Sequence, residues 1–148
     1  MSTINPEKYR LAVLMLVKQN DKILLIRKVG KFEWQFPSGG REGAESLTET
    51  LEREIEEEFG ISMDKISKIH KTFQFVEYEF PDDWKAKRNA FGQRNFISII
   101  HLLDDAELIP DGDEIEEIRF VSSDEVCDAV THKEALPAIR TLIEEGLI

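Results

Sequence analysis

The chain has 148 residues, enough for one domain spanning 1–148 with a sizeable core and too few for two. Hydrophobic residues make up 41% and charged residues 33%, a soluble globular composition, and no stretch nears the ~20 apolar residues of a membrane helix. Thirty acidic against 19 basic residues leave a formal net charge of −11, which argues against a broad basic face for duplex nucleic acid. It does not exclude a polyanionic substrate, provided a divalent cation stands between phosphates and carboxylates.

At the N-terminus, Met1 to Arg10 lacks the apolar core and cleavage site of a signal peptide. The lone cysteine, Cys127, excludes an internal disulfide and reads as a buried small hydrophobe. Both features fit a reducing cytoplasm. Leu11 to Val17 (LAVLMLV) reads as a buried strand and Lys22 to Lys28 (KILLIRK) as a second. The turn signal Gln19-Asn20-Asp21 between them makes a hairpin. Gly30 to Gly43, rich in glycine and aromatics, reads as a functional loop, with Trp34 and Phe36 packed beneath it. Ser46 and Glu49 form a capping box. Leu47, Leu51, Ile55 and Phe59 give one apolar stripe, and Gly60 is a C-cap. The spacing therefore predicts a helix over Leu47 to Phe59. Strands follow at Ile66 to Tyr78 and Asn95 to Leu103, separated by a loop over Pro81 to Gly92 with basic residues in and just beyond it. A short strand at Glu116 to Val121 precedes helical patterns from Ser123 and over Glu134 to Glu145. This order predicts an α+β fold, an α/β/α sandwich around a mixed sheet.

The chemistry concentrates in Gly39 to Ile61, GGREGAESLTETLEREIEEEFGI. Glu54, Glu57 and Glu58 are spaced i, i+3, i+4, so they share one helix face. Like charges at that spacing repel. A hard divalent cation removes the conflict, because carboxylate oxygens are the donors Mg²⁺ and Mn²⁺ prefer. The plain alternative is a solvated acidic face. Against it stands the preceding loop, Pro37-Ser38-Gly39-Gly40, whose adjacent glycines let backbone approach a ligand closely.

The segment resembles the signature of the Nudix hydrolases: G, five residues, E, seven residues, R-E-U, one residue, E-E, one residue, G-U, where U is a bulky aliphatic. Gly39, Glu45, Arg53, Glu54, Ile55, Glu57, Glu58, Gly60 and Ile61 fill every fixed position. The resemblance implies a mixed sheet between helices with the signature as a loop–helix–loop. It implies Mg²⁺, or Mn²⁺, held by Glu54, Glu57, Glu58 and the Gly39 carbonyl. Glu45, Arg53 and Gly60 would be structural. A further carboxylate is expected from a later loop; Glu114 is the candidate and Glu116 its competitor. The reaction would be in-line attack of water on a phosphoanhydride, with Glu54 or Glu114 as general base.

Flanking segments narrow the subfamily. Tyr9-Arg10, Trp34-Gln35-Phe36-Pro37, Tyr78-Glu79-Phe80-Pro81 with Lys85-Ala86-Lys87, and Gly92-Gln93-Arg94 resemble the plant- and bacterial-type dinucleoside polyphosphate hydrolases and the RNA 5′-pyrophosphohydrolases. Two departures stand out: Ser38 replaces a usual glutamine, and the basic loop is short. The substrate contacts implied are Arg10, Arg27, Gly40, Tyr78, Lys85, Lys87 and Gln93, with arginine and lysine for phosphates and Tyr78 stacked on a purine. Each has a plainer alternative: Arg27 as an exposed strand residue, Tyr78 as core, the lysines as solvated surface. His70, His101 and His132 read as packing or surface residues. The leading expectation is asymmetric hydrolysis of diadenosine tetraphosphate to ATP and AMP. The alternative is release of pyrophosphate from 5′-triphosphorylated RNA. A catalytically silent binding module is the third, disfavoured because the signature keeps all its acids.

Overall fold

The computed structural model describes residues 8–148, so the reading of the N-terminus as free of a signal peptide falls mostly outside them. The first strand, β1, covers Tyr9–Gln19, and β2 covers Lys22–Lys28. Asn20 and Asp21 both take positive φ (52° and 60°), the conformation that closes a two-residue hairpin. Two short strands follow, β3 (Trp34–Gln35) and β4 (Ser38–Gly40), so the glycine-rich loop is partly extended and paired. Helix α1 covers Leu47–Phe59, with the Ser46–Glu49 capping box formed and Gly60 left-handed at φ 67°.

Strand β5 runs over Ile66–Glu79 and β6 over Gly92–Leu102. The basic loop between them contains a helix, α2 (Asp82–Arg88), where the sequence suggested none. Gly92-Gln93-Arg94 belongs to β6 and does not form a loop. Strand β7 covers Ile115–Ser122, α3 covers Val126–Ala129 and α4 covers Leu136–Glu144. Pro137 lies in the first turn of α4, where its missing N–H costs nothing.

The sheet order is β3-β2-β1-β6-β5, with β4 paired to β1 and β7 to β2. Strand β1 runs parallel to β6 and antiparallel to β2 and β4, so the sheet is mixed. Alternation sends Val13, Met15 and Val17 to one face, where Leu51, Ile55 and Phe59 of α1 cover them. Leu14 and Leu16 go to the other face, under α3 and α4 through Val126, Leu136, Ile139 and Leu142. Each fully buried aliphatic or aromatic side chain contributes about 1.5–3 kcal/mol of transfer free energy. Cys127 is half-buried at the margin of the second core, which corrects its assignment to the interior.

Candidate active site

Helix α1 turns Leu51, Ile55 and Phe59 into the core, which leaves Glu54, Glu57 and Glu58 along its flank beside the β4 loop. The loop is pressed onto the helix. A Cβ added to Gly39 would stand 2.2 Å from Glu54 Cδ, so a side chain there would displace the Glu54 carboxylate. A Cβ on Gly40 would stand 2.1 Å from the Arg10 guanidinium, so that cation lies over the Gly40 backbone.

Arg53 ties loop to helix. Its Nη2 donates to Glu45 Oε1 at 2.7 Å and to the Gly40 carbonyl at 3.0 Å, and its Nε to Glu45 Oε2 at 3.2 Å. Glu45 Oε1 also accepts from Thr50 Oγ1 at 2.9 Å and from the Glu42 N–H at 2.8 Å. The Arg53 hydrogen bond first, then the Glu42 N–H, hold the Glu45 carboxyl down to about 2. Nη1 of Arg53 donates to Glu54 at 2.8 Å and to Glu57 at 3.3 Å.

Glu58 is only 4% exposed, and its Oε2 is a buried acceptor with no hydrogen-bond partner. Burial, then the charges of Glu54 and Glu114, push its carboxyl up to about 8. A buried, unpaired carboxyl oxygen beside two other acids is a costly place for a negative charge by itself. It fits a divalent cation, whose charge reverses the repulsion and whose hard-oxygen preference matches a Glu54, Glu57, Glu58 and Gly39 donor set. Among the described residues no three acids already converge as a closed cage; Glu54 and Glu57 point toward Arg53 and must swing from it to bind an ion.

Glu114 arrives through a loop fastened to the C-terminal end of α1. The Ile109 N–H donates to the Phe59 carbonyl and the Asp111 N–H to the Glu58 carbonyl, both at 3.1 Å. Asp111 Oδ1 accepts the N–H groups of Asp113, Glu114 and Ile115 at 2.9–3.1 Å. Those backbone bonds outweigh burial and lower the Asp111 carboxyl. The competitor Glu116 points elsewhere and pairs with Arg27 at 2.9 Å.

These residues line a polar cleft of about 550 Å³ that also holds Arg10, Gln93, Tyr78 and Ser38. Lys28, Arg88 and Asp111 line it too, and the sequence reading missed all three. Lys28 ends an expected strand and Arg88 adjoins Lys87, but nothing in their spacing marked them. Strand register builds one wall: Arg10 stands opposite Gln93, and Gln93 opposite Tyr78, across β1, β6 and β5. The next row is Ala12, Asn95 and Val76. The buried Gln93 donates to Asn95 Oδ1 at 3.0 Å. Asn95 and Val76 of that row line a second, mostly apolar cavity of about 570 Å³, bounded by Leu14, Phe36, Trp84 and the exposed His132 and Glu134. Ser38 and Tyr78 border both spaces.

Three expected substrate contacts do not reach either space. Arg27 is taken up by Glu116, by Glu117 at 3.0 Å and by the Lys31 carbonyl at 3.1 Å. Lys85 pairs with Glu79 and Asp82 and lies over the Phe91 ring. Lys87 is exposed and lines neither space. Trp34 stacks below Arg119 and is half-buried, while Phe36 is core. His70 and His101 are half-buried in the sheet.

A mixed sheet between helices, with an acidic loop–helix–loop at its edge and a cleft where carboxylates face arginines, defines a phosphate-handling architecture. Residues 8–144 match the NUDIX domain, and the chain belongs to that family. It is 33% identical over 104 residues to the RNA pyrophosphohydrolase of Ruthia magnifica subsp. Calyptogena magnifica, covering 68% of this chain and 58% of that protein. It is 32% identical over 127 residues to the RNA pyrophosphohydrolase of Marinomonas sp. (strain MWYL1), covering 80% and 79%. The chain thus spans little more than half the length of the first of these relatives. A C. elegans Ap4A hydrolase complex superposes with a TM-score of 0.75 at 14% identity, over 92% of this chain and 96% of that one. At that identity the likeness concerns the fold alone.

Proposed function

We propose that residues 1–148 form one domain that hydrolyses a phosphoanhydride bond in a 5′-polyphosphorylated nucleotide, with Mg²⁺, or Mn²⁺, held by Gly39, Glu54, Glu57, Glu58 and Glu114. The orphaned, buried Oε2 of Glu58 within an acidic cluster carries this reading. A divalent cation bound there supplies charge neutralisation and acidifies water. The chain's own part is orientation and proton transfer. Arg10, laid over Gly40 and lining the same cleft as the acids, binds phosphate oxygens. Gln93 and the Gly40 backbone position the chain. Glu54 is engaged by Arg53 at 2.8 Å. Glu114 is exposed, so it is the better base for the attacking water. The apolar cavity bordered by Tyr78 takes a nucleobase, whose flat face suits aromatic contact.

For the substrate we favour a 5′-triphosphorylated RNA end, with release of pyrophosphate. The 33% and 32% identity to proteins named RNA pyrophosphohydrolases supports it. Diadenosine tetraphosphate is the second reading. It rests on the Tyr78-Glu79-Phe80-Pro81 and Lys85-Ala86-Lys87 segment, whose lysines lie outside the cleft. Purified protein with Mg²⁺ would be given each substrate separately and the products resolved by ion-exchange chromatography. Fast pyrophosphate release supports the first, and ATP plus AMP the second. Turnover of neither removes both substrates.

A further inference from the structure

The β5–β6 excursion and its flank carry four basic side chains, Lys85, Lys87, Arg88 and Arg94. Three are accounted for. Lys85 is neutralised by Glu79 and Asp82, Lys87 is solvated, and Arg94 pairs with Glu77 at 2.5 Å beneath Tyr9 and Phe75. Arg88 behaves differently. Among the described residues no carboxylate pairs with it, yet it lines the acidic cleft. Burial raises the Tyr78 phenol and the charges of Arg88 and Arg10 oppose it; all three residues line the same cleft.

The Arg88 guanidinium is held by rings. Its carbon lies 4.6 Å from the Trp84 centroid and 5.3 Å from that of Phe80. Phe80 is 2% exposed, and its N–H donates to the Phe91 carbonyl at 3.0 Å, so the platform is anchored in the hairpin neck. Trp84 reaches the other way and lines the apolar cavity. Helix α2 therefore presents one side chain to each space and stacks the two on each other.

We propose that Arg88 is the cation by which α2 binds the phosphate chain of the substrate, and that Trp84 is the residue that positions it. This rests on the phosphoanhydride reading above. A guanidinium stacked on an indole keeps its N–H fork free for bidentate phosphate contact and loses little rotamer freedom on binding. A base entering the apolar cavity meets Trp84 while its phosphates meet Arg88, so α2 senses both ends of the nucleotide.

The test uses the full chain with Mg²⁺, inorganic tripolyphosphate as a calorimetric probe, and the two substrates for kinetics. Arg88→Ala weakens tripolyphosphate binding roughly ten- to hundredfold, the range of one charged hydrogen-bonded contact, and raises KM in step. Arg88→Lys restores part of this. Trp84→Ala weakens binding severalfold, Trp84→Phe restores it, and Trp84→Ala adds nothing in the Arg88→Ala background, as a positioning role requires. Arg140→Ala, on exposed α4 surface, is the control and matches wild type. Arg88→Ala within twofold of wild type, with an unchanged melting curve, overturns the proposal and leaves the hydrolase reading standing. So does wild-type protein that turns over a substrate without binding tripolyphosphate. Arg88-dependent binding without turnover of either substrate upholds the role of Arg88 and removes the hydrolase reading. Additive effects of the two alanine variants overturn the role of Trp84.

Discussion

The backbone N–H of Asp111 donates to the carbonyl of Glu58 at 3.1 Å, joining residues 53 positions apart at the floor of the cleft. The Asp111 carboxylate then gathers three successive N–H groups, and Glu114 is one of those it holds. The loop that delivers the fourth acid is thus fastened to the helix that carries the other three.

Asp111→Ala should therefore lower kcat by about tenfold through misplacement of Glu114 while costing only about 1 kcal/mol of stability, since two of the three lost bonds are exposed. For a chain of this size that is a Tm shift of about 2–4 °C. Steady-state kinetics and thermal melts check it. A full-rate variant would remove Asp111 from the machinery.

Glu58 makes stability depend on pH. Its folded pKa of about 8 lies above the ordinary 4.5, so the folded state holds its proton longer than the unfolded chain does. The contribution is complete below pH 4.5 and declines as pH rises through 8, with a limiting slope of about 1.4 kcal/mol per pH unit. Melts in EDTA from pH 5.5 to 8.5 should fall for wild type and stay flatter for Glu58→Gln. Added Mg²⁺ should raise Tm more at the alkaline end, because binding displaces that proton. Superimposable profiles for the two proteins would contradict the placement of Glu58.

Glu45 has the opposite sign. Its carboxyl is held near 2, so its contribution is present above about 4.5 and lost as pH falls through 2. Glu45→Gln should lower stability at pH 7, and should impair activity through release of Arg53. Arg53→Lys should do the same, since a point charge cannot span Glu45, Gly40 and Glu54 at once. Equal activity of Arg53→Lys and wild type would show that the fork is not needed.

Gly39→Ala should abolish most activity with Glu54 displaced, given the 2.2 Å approach to its Cδ. Glu57→Gln should lower Mg²⁺-dependent turnover by a hundredfold or more, on the order of 2.7 kcal/mol of transition-state stabilisation. Calorimetric Mg²⁺ binding by the two variants is the accompanying measurement. An unchanged rate in Glu57→Gln would end its assignment as a ligand.

Much of this was legible in the chain itself. The helix from Leu47 to Phe59 announced its start, stripe and end, because capping and periodicity are local properties of consecutive residues. The family signature is local for the same reason: Gly39 to Ile61 is one continuous loop and helix. Strands β1 and β2 could be read from apolar runs. Helix α2 could not. It is short, without an apolar stripe, and it is held by Phe80, Trp84 and Phe91 across a hairpin neck.

The choice among the basic residues was not local either. Arg27 looked as available as Arg10 until strand β7 placed Glu116 and Glu117 beside it. Lys85 and Arg88 differ by three positions on one helix, yet one is neutralised and the other faces the cleft. The sequence by itself determined the family signature, the acidic helix and the glutamates proposed as ligands, since those follow from residue type and spacing. Only the tertiary structure decided that Glu114 and not Glu116 joins them, and that Arg10, Lys28 and Arg88 face them. Electrostatic pairing depends on distance in space, and strand register brings together charges the chain holds far apart.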